Sequence, residues 1–187
     1  MNLKKPIRLL ALLAIATTAA VGLSAQTHPT ASGSLSVQLQ NGSGLQMVLY
    51  SDPSGVTLGN SGTSNASLAF GNVAAYGTLA TNVTRTNGTN SFTVSTPFDI
   101  NVEASGLSST SYTLSATLSS ANPTGVTLQV DSVSLTTTSQ SVQTTGTYGT
   151  NVSHTLSAVI LTAAYGSGGP TTGTQLTSTI NFVATAN

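Results

Sequence analysis

The chain has 187 residues, no cysteine, no tryptophan and only 4% charged side chains, against about 25% in ordinary soluble domains. Three of its four basic residues, Lys4, Lys5 and Arg8, stand at the very start, leaving Arg85 alone against Asp52, Asp99, Glu103 and Asp131. A single cation cannot neutralise a run of phosphates, so the composition argues against nucleic acid as a partner and against adhesion to an anionic membrane surface.

The first segment has the layout of a secretory signal peptide over residues 1–25. A positive start is followed by a mostly apolar run from Leu9 to Leu23 and by small residues at Ser24-Ala25. That run is short for a bilayer span, which takes about 20 apolar residues, and no second run of that kind follows. Removal of the signal therefore predicts an exported protein of the periplasm, cell surface or extracellular space with no transmembrane span. Without cysteine the chain forms no disulfide and carries no lipid on an N-terminal cysteine. Without lysine beyond Lys5, a Lys–Asn crosslink in the mature chain is excluded. Residues 26–33 are small and polar and read as a flexible lead-in, and 34–187 as one domain.

From there period-two alternation dominates, the pattern of half-buried strands. Leu35, Val37 and Leu39 alternate with Ser and Gln, and Leu45 to Tyr50 is a second strand. Ser51-Asp52-Pro53-Ser54-Gly55 is a loop signal, and Val56-Thr57-Leu58 a short strand. Leu79 to Val83 is expected to pair with Phe92 to Val94 across Asn87-Gly88, the strongest short hairpin signal. Phe98, Ile100 and Val102 face one way, with Asp99, Asn101 and Glu103 on the other, solvated face. Tyr112, Leu114, Ala116 and Leu118 repeat the pattern, which Ala121-Asn122-Pro123 breaks. Val126, Leu128 and Val130 lead to a turn at Asp131-Ser132, then Val133 and Leu135. Residues 136–151 read as a long loop or an edge strand. Leu156, Ala158 and Ile160, then Ile180, Phe182 and Ala184, supply the last strands. No segment after the signal has helical periodicity. Short strands with turn signals roughly 8–12 residues apart argue for an all-β sandwich or barrel, with about seven to ten strands expected in two antiparallel sheets.

Chemistry-bearing groups are scarce. His28 falls in the lead-in, and alternation sets His154 on the apolar side with Leu156 and Ala158, the place of a packed histidine. Asp99 and Glu103, four apart on one strand, stand about 13 Å from each other, too far for one metal ion or for the carboxylate pair of a retaining glycosidase. No His/Cys ligand spacing, nucleophile elbow or phosphate loop occurs. The reading is of a protein with no catalytic residue, no metal ligand and no cofactor. Tyr148 and Tyr165, beside Gly-rich loops, are the candidate ligand contacts for a glycan-binding or adhesin module working as a monomer.

The strands themselves offer another function. An exposed edge presents unpaired N–H and C=O groups that a strand from a neighbour can complete. Leu35, Val37 and Leu39 near the mature N-terminus, and Ile180, Phe182 and Ala184 at the C-terminus, are the candidate strand-exchange segments. Both equally suit pairing within their own domain.

The run Leu68-Ala69-Phe70-Gly71-Asn72-Val73, followed by a Thr-rich β region, resembles the Leu-x-Phe-Gly signature of spore-coat-U-like and related bacterial fimbrial proteins. Gly173, fourteen positions before the last residue, resembles the glycine found there in usher-dependent pilins. The chain differs from them in lacking cysteine and in carrying Ala186 where pilins commonly have tyrosine. The resemblance implies a single immunoglobulin-like antiparallel β-sandwich of the pilin type, assembled by donor-strand exchange. The partners it implies are copies of the chain or related subunits, in a pilus, fimbria or matrix at the cell surface.

Overall fold

The computed structural model describes residues 44–162 and 176–187, within a compact unit that spans Gly42–Asn187. The signal segment, the lead-in, His28, Leu35, Val37, Leu39, Tyr165 and Gly173 lie outside the described residues. Among those described there is no α-helix, hence none long and apolar enough to cross a membrane.

Among the described residues nine strands form two antiparallel sheets: β1 (Leu45–Tyr50), β2 (Thr84–Asn87), β3 (Ser91–Ala104), β4 (Ser111–Leu118), β5 (Val126–Val130), β6 (Val133–Ser134), β7 (Gln140–Thr147), β8 (Asn151–Leu161) and β9 (Ile180–Ala186). The larger sheet runs β1-β3-β8-β5-β6, with β2 also pairing with β3, and the smaller runs β7-β4-β9. The order β1-β3-β8-β5 facing β4-β9 matches strands A-B-E-D facing C-F of an immunoglobulin sandwich. The chain visits these positions in the same sequence.

Alternation explains the packing. Phe98, Ile100 and Val102 of β3 meet Tyr112, Leu114, Ala116 and Leu118 of β4 in one buried cluster between the sheets. The Phe98 and Phe182 rings, one from each sheet, lie 5.9 Å apart. Each Phe, Leu, Ile or Val side chain fully buried there contributes about 1.5–3 kcal/mol. β3 is fourteen residues long and β4 only eight, so the larger sheet outruns the smaller. Its overhang, Phe92, Val94, Ala158 and Ile160, forms a second cluster covered by Val56, Phe70, Val73, Ala75 and Leu79.

That cover accounts for two departures from the expected elements. Leu79 to Val83 is not a strand; β2 begins at Thr84, and its register is Asn87 opposite Phe92. Val56 to Leu58 is not a strand either. The Val56 and Leu58 N–H groups donate to the side-chain oxygens of Thr96 and Ser51, which leaves the backbone irregular while Leu58 is buried.

Two local features are unusual. Pro97 sits in mid-strand, where it cannot donate to a ladder. It is accommodated because β2 pairs with β3 up to Ser95 and β1 only from Asp99, so the proline falls in the gap between them. Gly55 packs so tightly over the Pro97 carbonyl that a Cβ there would collide with it. The β5–β6 hairpin turns on Asp131 and Ser132 with φ of 50° and 68°, the conformation a two-residue type I′ turn demands.

Candidate functional site

The C-terminal strand β9 is the edge of the smaller sheet. It pairs with β4 from Tyr112–Ala186 through Leu118–Ile180, and among the described residues no strand pairs with its other side. In the immunoglobulin arrangement that side belongs to strand G.

Its hydrogen bonds say which groups face outward. Asn187 N–H donates to the Ser111 carbonyl and Ser119 N–H to the Thr179 carbonyl. In an antiparallel pair, bonded and non-bonded residue pairs alternate. The bonded pairs are therefore the odd-numbered members of β9, and Ile180, Phe182, Ala184 and Ala186 turn their N–H and C=O groups away from β4. The same residues turn their side chains inward, and all four are only half-buried. Asn181, Val183 and Thr185 point outward, with Val183 53% exposed.

On the larger sheet, β1 runs beside β9. Its Leu45, Met47 and Leu49 are likewise half-buried and, like Ile180, Phe182 and Ala184, lie against the edge of the main core. The sandwich is thus closed by apolar side chains from two edge strands that remain partly wet. A strand with apolar residues at alternate positions, laid along β9, would satisfy the outward backbone groups and dry this seam at once. The seam's C-terminal side was legible in the alternation of Ile180, Phe182 and Ala184; its β1 side was read only as a strand.

The remaining singled-out residues make contacts within the fold. His154, 2% exposed, shares a hydrogen bond of 2.6 Å between Nδ1 and Asp131 Oδ2. Asp131 Oδ1 also accepts the Thr155 N–H, so the carboxylate clamps its positive-φ turn onto β8. The His154 Nε2 atom is buried with no hydrogen-bond partner, and its ring lies 5.9 Å from that of Phe98. That nitrogen is closed off from solvent.

Asp99, expected on a solvated face, is instead nearly buried, because the 51–55 loop lies over it. Burial first, and the Asp52 charge second, raise its pKa above the ordinary aspartate value. Asp52 is held the other way by hydrogen bonds from the Ser54 hydroxyl and N–H and from the Ser153 hydroxyl, which lower its pKa. These three donors occupy both of its oxygens.

Tyr148 does not stand free on its loop. Its ring is half-buried 5.4 Å from that of Tyr112, and its hydroxyl donates to the Ser111 carbonyl at 2.7 Å. Leu68 packs on the main core and Phe70 and Val73 on the second cluster, so the Leu-x-Phe-Gly run serves as cover for the long sheet.

Compared with protein-family models and with curated proteins, the chain matches none.

Proposed function

We propose that this chain is an exported structural protein of the bacterial cell surface, a pilus-, fimbria- or matrix-type subunit that assembles by β-strand complementation. The observation that carries this reading is the β9 edge, whose outward backbone groups and half-buried Ile180, Phe182 and Ala184 lie side by side along one seam. Strand addition of this kind draws affinity from main-chain hydrogen bonds and register from alternate side chains seated in an apolar groove. The Leu35, Val37, Leu39 segment has the matching alternation and lies beyond the described residues, so the donor in this reading is that segment of a neighbouring copy. The scarcity of charge suits such an assembly, because few ionisable groups make it insensitive to pH and salt. A signal-like N-terminus and a resemblance to fimbrial proteins support the same reading.

The experiment is electrophoresis of material sheared from the native cell surface, in detergent, with and without boiling. A ladder of multimers that collapses to monomer only on boiling is expected, and it should vanish when residues 26–40 are deleted. Protein recovered only as soluble monomer would refute the subunit reading.

A further inference from the structure

The loop between Gly71 and Asn82 carries a feature that strand assembly does not use. Tyr76 at its tip is 84% exposed, the most exposed large apolar side chain among the described residues. The backbone on either side of it is pinned. Arg85 donates through Nη1 to the Ala74 carbonyl at 2.8 Å and through Nη2 to the Gly77 carbonyl at 3.1 Å. Asn87 donates through Nδ2 to the Ala75 carbonyl at 2.9 Å. Arg85 is the only basic residue after Arg8, and both ends of its guanidinium are committed to this loop. Gly77, at φ +93°, makes the reversal directly after the tyrosine in a conformation that other residues rarely adopt. Val73, Ala75 and Leu79 meanwhile hold the base of the loop on the second core cluster.

An aromatic ring held out in water on a pinned backbone is already ordered for contact, so binding it costs little conformational entropy. Its surroundings indicate the kind of contact. A protein hot spot sits at the centre of an apolar patch that excludes water. Here the neighbouring apolar side chains turn inward, and Ala74, Ala75 and Gly77 raise nothing beside the ring. What remains is a lone flat platform with small side-chain neighbours, and the one nearby charge, the Arg85 guanidinium, is spent on the loop's own carbonyls. The C–H face of a pyranose ring is apolar and slightly positive, and it complements the negative face of an aromatic ring while the sugar hydroxyls stay hydrated.

We propose that Tyr76 is a stacking platform for a neutral pyranose unit of a polysaccharide, with Arg85 and Asn87 as the residues that position it. This site is separate from the β9 seam and does not depend on strand assembly.

The test is affinity electrophoresis of the intact exported chain in native gels containing hydroxyethylcellulose or glycol chitin, two uncharged polysaccharides. Wild-type protein is expected to be retarded in at least one of them. Tyr76→Ala should weaken that retardation at least tenfold with an unchanged melting temperature, since the side chain is exposed. Tyr76→Phe should keep most of it, because stacking needs the ring and not the hydroxyl. Arg85→Gln should weaken it several-fold while leaving the ring in place. Wild-type migration unaffected by both polysaccharides would overturn the proposal, as would retardation of Tyr76→Ala equal to that of wild type.

Discussion

Gly146 in β7 faces the buried ring of Tyr112, and a Cβ added there would lie 2.2–2.5 Å from three of the ring carbons. Ordinary contacts begin at 3.4 Å, so the overlap is about 1 Å. Tyr112 is fully buried, with the Tyr148 ring packed at a tilt beside it, so the ring cannot swing aside without moving the core. Overpacking of this size costs about 3 kcal/mol, which for a domain of this length lowers the melting temperature by roughly 6–12 °C. Gly146→Ala measured by urea denaturation should reveal that loss. If the clash is its cause, the cost must fall when the ring is truncated. Tyr112→Leu combined with Gly146→Ala should then be less destabilised than the sum of the single changes by about 2 kcal/mol. A Gly146→Ala cost below about 0.5 kcal/mol, or one that Tyr112→Leu leaves unchanged, would refute this account of why a glycine stands in the strand.

Asp99 has a folded-state pKa raised above 3.8 by burial and by Asp52. Its contribution is therefore full below its unfolded pKa and is lost as pH climbs through the raised folded value. Asp99→Asn should accordingly raise the melting temperature at pH 7, with the gain shrinking as pH falls through the raised folded value and gone by about pH 4; a loss of stability at pH 7 would contradict the assigned cause. The His154–Asp131 pair should respond asymmetrically. Asp131→Ala leaves the buried His154 Nδ1 without a partner and puts alanine at φ 50°, for a cost of about 2–3 kcal/mol. His154→Leu removes a buried imidazole whose Nε2 is already unpartnered, leaves Asp131 partly in solvent, and should cost less than half as much by thermal denaturation. Tyr148→Phe deletes the hydrogen bond to the Ser111 carbonyl and should lower stability by about 1 kcal/mol, while any binding to the two polysaccharides stays unchanged.

The architecture was legible because this chain alternates so regularly. Runs such as Tyr112, Leu114, Ala116 and Leu118 admit one reading, and the observed strand follows it residue for residue. Legibility ended where apolar residues bury themselves without a ladder. Leu58, Leu79 and Val83 have the composition of strand residues, yet they pack as cover over the sheets. Asn87-Gly88 marks the hairpin correctly, but the connection extends to Ser91, whose carbonyl accepts the Gly88 N–H. Tyr148 lies beside glycines that suggested exposure, and the pull of the core on its ring is a tertiary effect with no local signal. The same holds for Asp99, whose burial depends on the 51–55 loop, far earlier in the chain. The open seam was half legible. Alternation tells which face of β9 is buried, but it carries no information about which strands flank it.

Amide hydrogen exchange of β9 tests the central claim most directly. In the protein lacking residues 1–41, the amides of Phe182, Ala184 and Ala186 should exchange quickly, because they point away from β4, while those of Asn181, Val183 and Thr185 are protected by it. Adding a synthetic peptide of residues 34–41, which carries Leu35, Val37 and Leu39, should slow the first set and leave the second unchanged. If the peptide leaves Phe182 and Ala184 exchanging as before, this segment is not the strand the edge accepts, and assembly by complementation at β9 through it is contradicted.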